Sequence, residues 1–243
     1  MTRQALSRSI TIAVCLSVLP LSAAAVATPT PTPTPTPSAA TSQRLTNLKT
    51  KGAAEIDRRL TNLTAAFEKL AKARKISAAD KGALAKQIQD ESTGLTSLKT
   101  KLANETTLAG ARADVASIVT DYRVYVLMLP KTRLVAATDA AAVSVSNLND
   151  LAAKLTSHIS AAKSNNKDVS ALETKLDDMK AKTADAGDKI DGLVAKLLAV
   201  QPSDYNTSHA VLGTYRQILA AVVTDITAAR ADAKSIIDGL KQL

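Results

Sequence analysis

The sequence predicts an all-α protein, an elongated antiparallel bundle of about six helices with coiled-coil-like packing. From Thr41 the pattern becomes helical, and from Leu45 onwards apolar residues recur at steps of three and four, which places them on one face of each helix. Aromatic residues make up only 2% of the chain and Trp is absent, whereas β-domains are usually rich in such residues. The links between the apolar stretches are short, which favours antiparallel neighbours.

The first 27 residues have the pattern of a secretory signal peptide. Arg3 and Arg8 precede an apolar run, and residues 25–27 form a small-x-small cleavage pattern. We therefore expect a secreted or cell-surface protein. If the signal is not cleaved, residues 10–26 become a short membrane anchor instead.

Residues 28–40 are predicted to form a stalk that links the signal peptide to the helical domain, residues 41–243. Thr-Pro is repeated five times over residues 28–37, and each Pro disfavours the α conformation in the residue before it. The only cysteine, Cys15, lies within the signal peptide, so the mature chain forms no disulfide and offers no thiol ligand.

The first two helices follow the stalk directly. Helix one is predicted from Thr41 to about Arg74, and helix two from Ser77 to a break at residues 104–107. Ser77 is the expected N-cap, with Asp80 in a capping-box-like position. The apolar faces consist of Leu45, Leu48, Gly52, Ile56, Leu60, Leu63, Phe67 and Leu70 in helix one, and of Leu84, Ile88, Leu95, Leu98 and Leu102 in helix two.

Helix three is predicted from Leu108 to at least Asp121, and an unusual apolar segment follows it. Residues 124–130 are apolar on every side and β-prone, and they end at Pro130. Two interpretations remain open. The segment either continues helix three as a buried turn or forms a short extended plug.

Helices four, five and six are each predicted to be about 30 residues long. They run from Pro130 to about residue 164, from a cap at Asp168 to Val200, and from Ser208 to Leu240. Many core-side positions are Ala, so we expect close helix packing with little interior space for a ligand.

This topology should bring residues 122–130 and 201–215 together at one end of the bundle. The two stretches contain every tyrosine of the chain and one of its two histidines. The cluster is interpreted as an end cap that seals the bundle or as a recognition surface. Its members are Tyr122, Tyr125, Tyr205, His209 and Tyr215.

Three motifs are similar to those of a family of secreted α-helical bacterial proteins. They are residues 76–81 (ISAADK), 122–131 (YRVYVLMLPK) and 201–206 (QPSDYN). The resemblance implies a secreted bacterial helical protein. It transfers no activity and no functional residue.

Known catalytic patterns are absent from the sequence. It has no Gly-rich phosphate loop, no Gly-x-Ser-x-Gly and no His-Glu-x-x-His. The only histidines, His158 and His209, are far apart, and metal sites need several converging ligands. We therefore predict no enzyme, no catalytic residue, no metal site and no cofactor.

Positive charge is concentrated in the first helix. The net charge is +9, of which the signal peptide carries two charges, and residues 44–75 hold nine basic and three acidic side chains. Such a helix is typical either of a solvated surface or of a contact with wall polymer, lipid headgroups or extracellular DNA. Specific nucleic-acid recognition is not expected, because the helix has no aromatic stacking platform and the sequence has no known DNA-binding motif. The candidate contact residues are Arg58, Arg59, Lys69, Lys72, Arg74 and Lys75.

The function predicted from the sequence is that of an exported, non-enzymatic helical protein with a structural or interaction role at the cell envelope. The alternative is an electrostatic binder of anionic wall polymer, lipid or extracellular DNA through residues 44–75. Self-association of the helices also remains open. No specific partner is indicated.

Overall fold

The computed structural model describes residues 38–243, and this part of the chain is helical with no strand. The predicted all-α bundle is therefore confirmed. The signal peptide and the Thr-Pro repeats lie outside the described residues. The elements are α1 (Ala39–Lys72), α2 (Ala78–Asn104), α3 (Leu108–Thr120), a π-helical turn (Val124–Met128), α4 (Leu129–Ser164), α5 (Ser170–Ile190), α6 (Leu193–Ala199), α7 (Pro202–Thr207) and α8 (Val211–Leu240).

The first helix begins two residues before the predicted start at Thr41. Ser38 is its N-cap, and the Ser38 hydroxyl accepts a hydrogen bond from the backbone N–H of Thr41 at 3.3 Å. Ser is a strong N-cap residue because its side chain satisfies one of the unpaired N–H groups of the first turn. The apolar periodicity starts only at Leu45, which explains why the start of α1 was predicted two residues too late.

Two side chains cap α2. The Ser77 hydroxyl accepts a hydrogen bond from Asp80 N–H at 3.0 Å, as predicted. The Asp80 carboxylate, however, accepts a hydrogen bond from the Ser77 hydroxyl at 2.6 Å and not from the Ser77 backbone N–H. That backbone N–H donates to the carboxylate of Asp139 in α4, at 2.9 Å. The reciprocal part of the capping box is thus supplied from another helix.

The first core is built on an antiparallel pair of helices, α1 and α2. Lys49 Nζ donates to the Ala103 carbonyl at 2.9 Å, and Lys99 lies 2.5 Å from Asp57. α3, the π turn, α6 and the amino-terminal parts of α4 and α8 add apolar side chains to this core. Its largest fully buried members are Ile56, Leu63, Leu84, Ile88, Leu95, Ile118, Met128, Leu193, Leu197 and Leu212.

The second core is enclosed by α4, α5 and α8. Lys163 of α4 lies 2.8 Å from Glu173 of α5 across the short loop that joins the two helices. Lys182 and Lys189 of α5 lie 2.6 Å and 2.8 Å from Asp232 and Asp225 of α8, so α5 is antiparallel to both neighbours. Met179, Ala186, Val222, Ala229 and Ile236 are completely buried here. Since α4 and α8 also contribute to the first core, both helices connect the two.

The segment after α3 matches neither interpretation drawn from the sequence. Arg123, with φ of +33°, ends the α3 region, and Val124–Met128 then forms a π-helical turn that continues into α4. The segment is not buried on every side, because Tyr125 is 41% exposed. Its β-branched residues are accommodated because the turn packs its buried face on α1 and α4.

The predicted fifth helix is interrupted. α5 ends at Ile190, and Gly192, with φ of +63°, separates it from the short helix α6. Glycine adopts this left-handed conformation without steric cost. The interruption redirects the chain, so Leu193 and Leu197 pack in the first core while α5 packs in the second. Asp168 is the predicted cap, and its carboxylate accepts from Ser170 N–H at 3.1 Å just before α5.

None of the helices described in residues 38–243 combines the length and apolar character needed to cross a membrane. The predicted anchor, residues 10–26, lies outside this range.

Candidate functional site

Four of the six predicted contact cations lie together where α1 ends. Lys69, Lys72, Arg74 and Lys75 are exposed, and none of them forms a salt bridge within residues 38–243. We call these four residues the basic end of α1. The partial negative charge of a helix C-terminus stabilises cations at this position.

The other two predicted contact residues have a different role. Arg58 and Arg59 both pair with Glu55 one turn earlier in α1. Arg59 is only 6% exposed, and its guanidinium lies 4.9 Å from the centre of the Tyr125 ring. Burial lowers the pKa of Arg59. Arg59 therefore stabilises the contact between α1 and the π turn and is not available to an external anion.

A groove adjoins the basic end. It has a volume of about 220 Å³ and lies between the last turns of α1 and the start of α4. Leu70 and Ile76 form part of its apolar floor, whereas Lys69 and the exposed Arg133 contribute positive charge. Arg133 was not among the predicted contact residues. Those residues were chosen from the excess of positive charge in helix one, and the chain after helix one is nearly neutral.

The stretches that contain the tyrosines meet, as the topology predicted. Arg123 Nε donates to Asn206 Oδ1 at 2.7 Å, and Asn206 Nδ2 donates to the Thr120 carbonyl at 3.0 Å. The Arg123 guanidinium also lies 5.2 Å from the centre of the Tyr205 ring, and that ring makes an edge contact of 5.0 Å with His209. Tyr205 and His209 thus form one local cluster.

The remaining tyrosines lie apart from this cluster, against different helices. Tyr125 lies on α1, where Asn62 Nδ2 approaches its hydroxyl at 3.4 Å. Tyr122 lies against α2 at Gly94, where a Cβ atom would be 2.6 Å from the ring. Tyr215 is half-buried beside the first core. The tyrosines therefore seal several contacts between helices, and the structure does not gather all of them into one surface.

A polar cavity in the described chain was not foreseen from the sequence. It has a volume of about 330 Å³ and is partly open, and its lining comes from α2, the end of α3, the π turn, α4 and the start of α7. We call it the α2–α4 cavity. A partly open cavity thus exists where close Ala packing was expected to leave little interior space for a ligand. Its polar lining consists of Gln87, Asp90, Glu91, Asp121, Tyr122, Lys131 and Gln201.

The α2–α4 cavity is lined by three ionisable groups whose pKa values are shifted, Glu91, Lys131 and Tyr122. Burial raises the pKa of Glu91 to about 7, and the positive charge of Lys131 only partly opposes this effect. Burial also lowers the pKa of Lys131, against the opposing influence of Glu91 and Asp204. The pKa of Tyr122 is raised by burial and by the charges of Glu91 and Asp121. Such groups are enriched in functional sites.

A signal for Glu91 was present in the sequence. The apolar face of helix two steps from Ile88 directly to Leu95, a gap of two turns, whereas elsewhere the steps are three or four residues. Glu91 fills this gap, at a spacing that places it on the buried face. Lys131 gave a weaker signal, as a cation directly after an apolar segment and a proline.

Comparison with models of protein families, with curated proteins and with solved structures finds no match to this chain. Within residues 38–243, no group of three or more His, Cys, Asp or Glu side chains is placed to hold a metal ion. The resemblance to secreted helical proteins remains a prediction.

Proposed function

We propose that this is an exported, non-enzymatic protein that binds a phosphate-bearing anionic surface at the cell envelope through the basic end of α1. One observation carries the proposal. Lys69, Lys72, Arg74 and Lys75 are exposed without salt-bridge partners among residues 38–243, whereas Arg58 and Arg59 on the same helix are paired. Exposed cations near an anionic membrane each contribute about 1 kcal/mol of attraction.

Two features support an electrostatic mode of binding. Arg133 of α4 lines the same groove as Lys69 of the basic end, which extends the positive surface onto α4. Base stacking would need exposed aromatic rings, and the basic end itself has none. The expected binding is therefore strongly salt-dependent and insensitive to the sequence of a nucleic acid.

The test is a salt titration of binding to vesicles of anionic phospholipid and to a soluble polyphosphate polymer. A variant with alanine at Lys69, Lys72, Arg74 and Lys75 should lose at least tenfold in affinity at low salt, since roughly 4 kcal/mol of attraction is removed. The two arms separate a membrane from a polymer as the source of phosphate.

A matched control removes the same number of charges elsewhere. Exposed lysines that form no salt bridge are available on α4, α5, α6 and the α4–α5 loop, and their replacement should lower affinity by less than threefold. Equal losses in the two variants, or no binding of the natural chain at low salt, would contradict the proposal. The control positions are Lys154, Lys167, Lys180 and Lys196.

Export is tested separately by mass spectrometry of the protein recovered outside the cell. A mature N-terminus at residue 28 is expected from the cleavage pattern at residues 25–27. An intact N-terminus in the membrane fraction would favour the anchored alternative.

A further inference from the structure

Gln87 and Glu91 line the α2–α4 cavity, and each has a buried side-chain oxygen that nothing in the described chain satisfies. Gln87 Oε1 and Glu91 Oε2 are both buried and accept no hydrogen bond. The Gln87 amide nitrogen donates to the Leu198 carbonyl at 2.9 Å, which leaves the oxygen as the unused atom of that group. Buried acceptors without partners are costly, so a ligand that donates hydrogen bonds to both would be stabilised.

The same cavity contains an ammonium group with unused donors. Lys131 is only 4% exposed, and its Nζ donates to the Val200 carbonyl at 3.0 Å. A lysine ammonium has three N–H donors, so two remain available. A buried cation with one neutral partner favours the approach of an anion, because burial without a counter-charge is unfavourable.

The opposite charges of Glu91 and Lys131 do not satisfy each other. Both side chains line the cavity, yet they form no salt bridge within 4 Å and no hydrogen bond. Asp90, which also lines the cavity, is paired with Lys86 at 2.6 Å. The lining of the cavity thus has hydrogen-bond acceptors at Gln87 and Glu91 and a donor at Lys131, and the cavity has a volume of about 330 Å³.

We propose that the α2–α4 cavity binds a small zwitterion, with the ligand ammonium at Glu91 and Gln87 and the ligand carboxylate at Lys131. A simple amine would leave the Lys131 charge without a partner, and a simple carboxylate would leave the Glu91 and Gln87 oxygens unsatisfied. An amino acid or a short peptide satisfies both sides and fits a cavity of this size. This proposal is independent of the basic end of α1.

The test uses a series of linear ω-amino acids, from glycine to 6-aminohexanoate, titrated into the chain from residue 28 onwards and followed by calorimetry and by NMR shifts. Saturable binding with an optimum chain length is expected, because the ligand must span the space between Glu91 and Lys131. Acetate and methylammonium should each bind at least tenfold more weakly than the best member. Equal binding by either ion alone, or no saturation by any member, overturns the proposal.

Substitutions locate the binding site. Glu91→Gln and Lys131→Met should each weaken binding of the best ligand at least tenfold, because each removes one charged partner. Asp238→Asn is the matched control, since Asp238 of α8 does not line the cavity and its carboxylate is already paired with Lys234; it should change affinity less than threefold. Unchanged binding in Glu91→Gln overturns the proposal, and this near-isosteric variant gives that answer even if Lys131→Met does not fold.

Discussion

Glycine has opposite effects at two helical positions of this chain. Gly52 of α1 is buried, and a Cβ atom there would lie 2.6 Å from Leu102 Cδ2 and 2.8 Å from Val115 Cγ2. Gly82 of α2 is exposed and has no atom within 4 Å of such a Cβ. The first glycine permits close helix packing, whereas the second only weakens its helix.

We predict that Gly52→Ala lowers the free energy of unfolding by about 1–3 kcal/mol, because the added methyl group overpacks the contact of α1 with α2 and α3. Gly82→Ala should raise it by about 1 kcal/mol through helix propensity alone. Urea denaturation followed by circular dichroism measures both. Stabilisation by Gly52→Ala would show that the helices can separate at little cost.

The raised pKa of Glu91 predicts that stability falls with rising pH. Because the pKa is about 7 in the folded state and 4.5 ordinarily, the folded state keeps a proton that the unfolded state has lost between these values. The stabilising contribution is complete below pH 4.5 and is lost as pH rises through 7. Among groups on other elements, Lys131 lowers the pKa of Glu91, and Asp204 in turn raises the pKa of Lys131. Glu91 and Asp121 both raise the pKa of Tyr122.

Comparison of the natural chain with Glu91→Gln isolates this contribution. Between pH 5 and pH 8 the natural chain should lose about 1–2 kcal/mol more stability than Glu91→Gln, allowing for the partial exposure of the carboxyl group. Thermal unfolding at the two pH values measures the difference. Parallel pH profiles for the two proteins would show that the Glu91 carboxyl group titrates normally.

At the scale of single residues, the periodic pattern predicts which face of a helix is buried but not what a polar residue does there. The apolar stripe of α2 correctly identified Leu84, Ile88 and Leu95 as buried. It could not show that Glu91, on the same face, lines a cavity with Lys131, since that depends on a helix 40 residues away in sequence.

At the scale of elements, side-chain caps mark the beginning of α1, α2 and α3. Ser77 was recognisable as the N-cap of α2 because its side chain acts within three residues. The contribution of Asp139, which accepts from the Ser77 backbone N–H, is a contact between distant parts of the sequence and was not predictable.

Ser77→Ala should lower the free energy of unfolding by about 1 kcal/mol, because the N–H of Asp80 loses its acceptor. The bond from the backbone N–H of residue 77 to Asp139 persists in this variant. Ser97→Ala is the matched control on the same helix: it is exposed in the helix interior, where alanine should be neutral or slightly stabilising. Equal destabilisation by both would contradict the capping role.

The break between α5 and α6 shows the limit of periodicity at this scale. Ile190, Leu193 and Leu197 keep helical spacing across the break, so the stripe predicts one continuous helix. The local signal was the Asp191-Gly192 pair, a common turn dipeptide. Gly192 moves the second half of the stripe from one core into the other.

At the scale of the whole described chain, two cores share two helices. The side chains of α8 belong to the first core at Leu212 and Leu219 and to the second from Val222 onwards, and Ile218 contacts both. A helix that is continuous through both cores couples them, so we expect one cooperative unfolding transition for residues 38–243.

Ile236→Ala tests this coupling. Ile236 is fully buried in the second core, whereas Tyr122, Tyr205 and Tyr215 all pack against the first. The variant should lower stability by about 2–4 kcal/mol. The transition midpoints from tyrosine near-ultraviolet dichroism and from far-ultraviolet dichroism should shift equally. A tyrosine midpoint that stays in place would show that the cores unfold separately.

The distribution of charge was only partly predictable at this scale. Counting charged side chains in the sequence identified the first helix as basic. Four of its six candidate cations are exposed without ion pairs in residues 38–243. Counting could not separate Arg58 and Arg59 from them, because the difference depends on the pairing of both with the Glu55 carboxylate and on the Tyr125 ring beside Arg59.

The length of α1 has a practical consequence for how the molecule can be handled. Its 34 residues, at about 1.5 Å each, place Lys72 roughly 50 Å along the helix axis from Ser38, where the described chain enters it. A sensor chip or bead coupled through the amino-terminal side of Ser38 would consequently leave the cationic tip unobstructed. The carboxyl terminus, which follows α8 of the second core, offers an independent coupling point for checking that the orientation of the immobilised molecule does not alter the result.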